Sequence, residues 1–143
     1  MKFRSTLEIM LLLHFISHII HVGAHLYHGI PAVFFTDMVG KTAGYLFILA
    51  FFIILPLLGW WQLRKKKEPQ CYYVLALTML PAWAYAFIYH FILKTSDHVC
   101  LFGATVAGRW FVWSAYSISI VDAGIFILCF YAIVKNKLRI VSP

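Results

Sequence analysis

The sequence predicts an all-α integral membrane protein, an antiparallel bundle of four transmembrane helices with both termini in the cytoplasm. Of its 143 residues, 63% are hydrophobic and 12% are charged, whereas soluble domains carry about 25% charged residues. Four apolar segments are long enough to cross a bilayer core about 30 Å thick, which takes about 20 residues per helix. They lie near residues 7–30, 43–63, 72–93 and 110–134. Little chain remains between them, so residues 1–143 are predicted to form a single transmembrane domain within a lipid bilayer.

The distribution of basic residues predicts the orientation. Nine lysines and arginines flank the termini and the second connection, and three lie in the other two connections. The nine are Lys2, Arg4, Arg64, Lys65, Lys66, Lys67, Lys135, Lys137 and Arg139, and the three are Lys41, Lys94 and Arg109. The positive-inside rule then places both termini and the second connection in the cytoplasm. Because topology accounts for the net charge of +7, no nucleic-acid partner is predicted.

The first two helices differ in polarity. A hydroxyl-rich start at Ser5 and Thr6 suits a helix amino end, and Pro31 marks the far end of the first helix. The apolar stretch at residues 32–35 is expected to lie in the membrane interface or against protein. The second helix carries no acidic, basic or histidine side chain within residues 43–61, and Pro56 is expected to kink it.

The second half of the chain places polar residues at two depths. His90 lies near the outer end of the third helix, and the loop that follows contains Asp97, His98 and Cys100. The fourth helix carries Asp122 about twelve residues below its outer end, which is a depth near the middle of the membrane. With no C-x-x-C spacing among the three cysteines, no disulfide framework is predicted.

A ladder of five histidines is the most informative feature of the first helix. His14, His18, His21, His25 and His28 follow one another at spacings of four, three, four and three residues. At about 100° per residue they fall on one face, and they span about 21 Å along the axis. Intramembrane ionisable side chains face a partner, a cavity or a cofactor because exposure to lipid is costly. We therefore expect this face to turn inward.

Two cofactor classes suit the ladder. Haem b requires two axial imidazoles from facing helices, which His25 or His28 and His90 provide near the outer face. A transition-metal ion such as copper, zinc or iron requires three or four ligands, and imidazoles at i and i+3 or i+4 supply two of them. For the cofactor we consider His14, His18, His21, His25, His28 and His90. For a metal site we consider His18, His21, His25, His28, His90, His98 and Asp122.

The leading functional hypothesis is a small subunit of a respiratory-type electron-transfer complex that binds haem b, assembles with other membrane subunits and exchanges electrons with a quinone or a partner protein. The alternatives are a protein that binds or transports a transition metal, a proton-conducting subunit in which imidazoles and Asp122 relay protons, and a purely structural subunit. With no nucleotide-binding loop or soluble domain, an electron-transfer role is favoured over that of a stand-alone enzyme. A bacterial or archaeal plasma membrane is the preferred location, and a mitochondrial inner membrane is the alternative.

Overall fold

The structure is a computed structural model that describes residues 2–28, 40–94 and 98–141. These residues form helices and short connections, with no β-strand among them. Within these ranges, four helices are long and apolar enough to cross a membrane, which confirms the predicted all-α class with four potential membrane spans. The predicted interfacial stretch at residues 32–35 and the helix end at Pro31 lie outside the described residues.

The four helices are α1, Lys2–His28; α2, residues 41–64; α3, Gln70–Ile92; and α4, Val106–Val141. A short 3₁₀ turn at Val99–Leu101 precedes α4. Helices α1 and α4 begin before the apolar segments of the sequence, and α4 continues beyond its segment. Apolar residues were the basis of those limits, but a helix continues into the interface as long as its backbone stays hydrogen-bonded. At the start of α1, for example, Arg4 Nε lies 3.4 Å from Glu8 Oε1, one turn further along.

Both α2 and α3 contain a π-helical turn, at Ala50–Ile54 and Ile88–Ile92 respectively. The turn in α2 lies directly before the α-helical segment Leu55–Arg64, whose second residue is Pro56. Because proline has no backbone N–H, the Phe52 carbonyl four residues earlier loses its usual α-helical donor. Such single π turns often occur at functional sites, and here each lies beside a group of histidines.

Three polar contacts hold α1 against α4. His14 Nδ1 lies 2.6 Å from Asp122 Oδ1, Ser17 Oγ lies 2.7 Å from Ser117 Oγ, and His21 Nδ1 lies 2.9 Å from Ser114 Oγ. Residue numbers rise along α1 while they fall along α4, so the two helices run in opposite directions at this seam. The contacts fix the register and turn the histidine face of α1 into the protein.

The apolar core lies at the end of the molecule where Arg4 approaches the Arg64 carbonyl, here called the basic end. Helices α1, α3 and α4 meet there around Leu7, Leu11, Leu75 and Ile125, all fully buried. Helix α2 packs mainly on α3 and makes few contacts with α1. Toward the opposite end, therefore, α1, α2 and α3 leave a groove between them, lined by residues of all three helices.

Candidate metal centre

The histidine face of α1 turns inward, as the ladder predicts. His14 and His21 are buried, and His18, His25 and His28 are partly buried. On the opposite side of the helix, Ile16 is 44% exposed and faces the predicted lipid. The histidines therefore meet α2, α3 and α4 instead of hydrocarbon, and they divide into two groups at different depths.

The upper group lies toward the end opposite the basic end and consists of His21, His25 and His90. One ligand atom from each residue lies within 4.8 Å of those of the other two, a geometry that could hold a metal ion. His21 Nε2 lies 3.0 Å from His90 Nε2 and 3.1 Å from His25 Nε2. His90 belongs to the π-helical turn of α3, so the group joins two helices through three convergent imidazole nitrogens.

The orientation of His21 is set by Ser114. The Ser114 hydroxyl donates to the Phe111 carbonyl at 2.8 Å, so its oxygen is left to accept from His21 Nδ1 at 2.9 Å. A neutral imidazole carries one N–H, and in this tautomer it lies on Nδ1. The lone pair of His21 Nε2 is thereby directed at the other two imidazoles, which is the arrangement that a metal ligand requires.

Phe111 covers the upper group. Its side chain is fully buried, and its ring centroid lies 4.9 Å from that of His21, 5.1 Å from that of His25 and 5.6 Å from that of His90. One ring therefore contacts all three imidazoles. An apolar neighbour of this kind limits water access and lowers the local dielectric around a bound ion.

The lower group consists of His14, His18 and Asp122, nearer the basic end. His14 uses both ring nitrogens: Nε2 lies 3.1 Å from the Phe52 carbonyl, and Nδ1 lies 2.6 Å from Asp122 Oδ1. A carbonyl only accepts hydrogen bonds, so His14 Nε2 carries a hydrogen. The short His14–Asp122 contact needs one further proton, held by either partner. In this arrangement His14 offers a metal no lone pair.

Within the described residues, the lower group contains polar atoms without a hydrogen-bond partner, on His18 and on Asp122. His18 Nδ1, His18 Nε2 and Asp122 Oδ2 are buried and have no hydrogen-bond partner among the described residues. His18 Nε2 lies 3.9 Å from Asp122 Oδ2, which is too long for a hydrogen bond. Since His18 also lines the groove between α1, α2 and α3, it connects the buried carboxyl with that space.

Two of the predicted ligands belong to neither group. His28 packs against Phe102, with ring centroids 5.2 Å apart, and its Nε2 has no hydrogen-bond partner among the described residues. His98 precedes the 3₁₀ turn and accepts a hydrogen bond from the Cys100 backbone N–H at 3.2 Å. Asp97 lies outside the described residues.

Sequence reasoning missed three groups that organise the site: the Phe52 carbonyl, Phe111 and Ser114. A sequence does not mark which backbone carbonyl will face a site. Pro56 nevertheless indicated that the carbonyl four residues earlier lacks its usual α-helical donor. Ser114 lies eight residues, about two turns, before Asp122. A search for small polar residues at helical spacing from Asp122 would have found it.

The case for this site depends on its three-dimensional arrangement alone. No protein-family model matches the chain, and no curated protein or solved structure is significantly similar to it.

Proposed function

We propose that the protein binds one transition-metal ion at the upper group and serves as a metal-containing electron-transfer subunit of a membrane complex. The observation that supports the metal is the convergence of the Nε2 atoms of His21, His25 and His90, each within hydrogen-bonding distance of at least one other. A bound cation would accept the lone pairs of all three nitrogens at once, in place of the hydrogen bonds that join them.

The donor set favours copper. Imidazole nitrogens suit copper, zinc, iron and nickel, and among divalent ions copper has the highest intrinsic affinity for such sites. Three protein ligands leave one coordination position open, as in catalytic sites and unlike closed structural ones. Copper is also redox-active, which agrees with an electron-transfer role. Because imidazole must be deprotonated to bind, we expect metal affinity to fall at acidic pH.

The surroundings favour a resident ion over a transported one. His14 of the lower group is engaged with Asp122 and Phe52. Closer to the basic end, Leu7, Leu11 and Ile125 are fully buried in a tightly packed core. No further group of three ligand residues lies there among the described residues. The described residues therefore offer a metal ion no series of ligand groups between the upper group and the basic end.

Haem b stays the second candidate because of the groove. His21 and His90 face each other from two helices, and beside them lies a largely apolar space of about 840 Å³. Axial ligands on opposite sides of a haem iron must come from facing elements, and these two histidines meet that requirement. His25 and His90 form the corresponding pair of the sequence prediction, with ring centroids 6.1 Å apart.

The experiment combines metal analysis with absorption and electron paramagnetic resonance spectra of the purified protein in nanodiscs. We expect one copper ion per chain, a Cu(II) signal split by nitrogen ligands, and loss of both in His21→Ala and in His90→Ala. His98→Ala is the matched control because that histidine lies outside both groups, and it should bind one ion.

A Soret band that disappears in His90→Ala would instead support haem b. Equal metal content in the wild type, His21→Ala and His90→Ala would refute both cofactor proposals. Circular dichroism confirms that each variant remains helical, so a loss of metal can be separated from a loss of fold.

A further inference from the structure

Hydrogen bonds leave a gap inside the lower group. Asp122 is fully buried, and the His18 side chain is 13% exposed. His18 Nε2 and Asp122 Oδ2 lie 3.9 Å apart, and neither atom has a hydrogen-bond partner among the described residues. Buried polar atoms in native proteins are nearly always paired, because burial without a partner is costly. We therefore expect a small ligand that bridges these two atoms within the group.

The length of the gap suits a metal ion. Zinc binds imidazole nitrogen and carboxylate oxygen at about 2.0–2.2 Å, so one ion can contact two such atoms that lie up to about 4.2 Å apart. A direct hydrogen bond between them would need a separation below about 3.2 Å. Both atoms are closed off from the groove between α1, α2 and α3. The ion would therefore lie between the two side chains and not in the open space.

His14 provides the third ligand atom. One ligand atom each from His14, His18 and Asp122 lies within 4.8 Å of those of the other two. The Phe52 carbonyl lies 3.1 Å from His14 Nε2 and accepts its hydrogen. This contact fixes the tautomer in which Nδ1 is the basic nitrogen, and metal-binding histidines typically make such a contact with their other nitrogen.

A proton takes the place of the ion in the metal-free protein. His14 Nδ1 and Asp122 Oδ1 lie 2.6 Å apart with one proton between them. When that proton leaves for the solvent, His14 Nδ1 has a lone pair and Asp122 is a carboxylate. Binding of one divalent ion thus releases one proton and leaves the hydrogen bond to Phe52 intact.

We propose that His14, His18 and Asp122 bind a second metal ion, a divalent ion such as zinc, in exchange for the proton that joins His14 to Asp122. Two imidazoles and one carboxylate form a donor set that zinc sites use. Zinc also accepts three protein ligands with a further position open. The negative carboxylate favours a divalent cation in this buried place, where an uncompensated charge would be costly.

The second site is separate from the copper site proposed at the upper group. The two groups have no ligand residue in common, and the upper group contains no carboxylate. His18 precedes His21 by three residues, a rise of about 4.5 Å along α1. The sites are therefore neighbours with different donor atoms, and zinc binding at the lower group requires no ion at the upper group.

An ion at the lower group would join two helices. His14 and His18 belong to α1, and Asp122 belongs to α4. An ion that binds only the folded protein stabilises it by mass action, so zinc should raise the unfolding temperature. Because the ligand atoms are closed off from the groove, we expect the ion to exchange slowly and to stay bound during a wash with chelator.

The test measures zinc in a protein whose upper group has been removed, since the imidazoles of that group also suit zinc. His90→Ala is produced in medium with added zinc, transferred to nanodiscs, washed with chelator and analysed for metal. We expect about one zinc ion per chain. X-ray absorption at the zinc edge should show nitrogen and oxygen neighbours at about 2.0–2.2 Å.

Two further changes are made in the His90→Ala protein. Asp122→Asn keeps a hydrogen bond to His14 through its amide but has no carboxylate, so it should stay folded and lose the zinc. His28→Leu is the matched control, because this histidine of the same helix belongs to neither group, and it should keep one zinc ion. Thermal unfolding should shift upward with zinc in the control and not in Asp122→Asn.

Equal zinc content in His90→Ala with and without Asp122→Asn would overturn the proposal, since the ion would then lie elsewhere on the protein. A folded His90→Ala protein without zinc would also overturn it and would leave a water molecule as the ligand in the gap. The two metal sites can fail separately. Asp122→Asn in an otherwise unchanged protein should keep the copper signal, whereas His90→Ala should lose copper and keep zinc.

Discussion

At the scale of single residues, hydrogen bonds decide which histidines are available to a ligand. His21 donates from Nδ1 to Ser114, which leaves the lone pair on Nε2 directed at the nitrogens of His25 and His90. His14 is also a buried histidine, but its two nitrogens contact the Asp122 carboxyl and the Phe52 carbonyl. The five-histidine ladder thus contains residues with different roles, and the partners on α2 and α4 assign those roles.

Ser114→Ala should weaken metal binding at the upper group. Removing the hydroxyl frees the His21 ring to rotate and to adopt the other tautomer, and loss of such a partner typically costs about 10- to 100-fold in affinity. The measurement is a copper titration in the presence of a competing chelator. Ser119→Ala is the matched control, since Ser119 Oγ is buried on the same helix and has no hydrogen-bond partner among the described residues. Equal affinity in both variants would contradict the role of Ser114.

His14→Leu should destabilise the protein by about 3 kcal/mol, because it leaves Asp122 buried without its 2.6 Å partner. The double variant His14→Leu, Asp122→Leu should recover most of that free energy of unfolding, since an apolar pair replaces the polar one. Unfolding in mixed detergent micelles measures both. A double variant as unstable as the sum of the two single variants would show that the residues are not coupled.

At the scale of helices, the two π turns and a close helix contact place the histidine partners. The π turn of α2 presents the Phe52 carbonyl to His14, and the π turn of α3 carries His90. Near the basic end, a Cβ atom at Gly59 of α2 would collide with the Leu75 side chain of α3. The absence of a side chain at Gly59 is therefore what lets α2 lie close to α3.

Gly59→Leu should separate α2 from α3 and destabilise the protein by about 1–3 kcal/mol, the usual cost of overpacking. The Phe52 carbonyl would move with α2, so the amide and imidazole signals of His14 in an NMR spectrum should shift. Gly23→Ala is the control, because the space around Gly23 is open and alanine favours a helix. Unchanged stability in Gly59→Leu would mean that the helices do not depend on this contact.

At the scale of the whole molecule, polar contacts and apolar packing are separated along the membrane axis. The basic end has an apolar core, and the histidine groups and the groove lie above it. The predicted orientation puts that core on the cytoplasmic side. The groove and the upper group would then belong to the outer half of the bilayer.

Cys100 provides a direct test of this orientation. It is an exposed free thiol, whereas Cys71 and Cys129 are buried. With both termini in the cytoplasm, Cys100 lies outside, and a membrane-impermeant maleimide should label intact cells that carry the protein. Cys100→Ser removes the label and serves as the control. Labelling that requires permeabilised cells would mean that the orientation is reversed.

The sequence predicted the helices better than their ends, and the histidine face better than its partners. Spans were recognisable because a bilayer demands about 20 apolar residues, and the face because its repeat matches the helical turn. His90 and Asp122 were predicted to join the ladder, and the structure brings each of them to it. The sequence did not predict that His90 lies beside His21 and His25 and not beside His28. These histidines lie about one turn apart on α1, so the outcome depends on the position of α3 along the axis of α1.

The amino-acid sequence alone determined that the chain belongs in a membrane and that one side of its first helix is polar, because these properties follow from local composition and from a periodicity of 3.6 residues. The tertiary structure alone decided that the polar side divides into an upper group with convergent imidazole nitrogens and a lower group closed by a carbonyl and a carboxyl. That division depends on helix register and on two π turns. Both arise from contacts between residues far apart in the chain, such as His14 with Asp122 and His21 with His90.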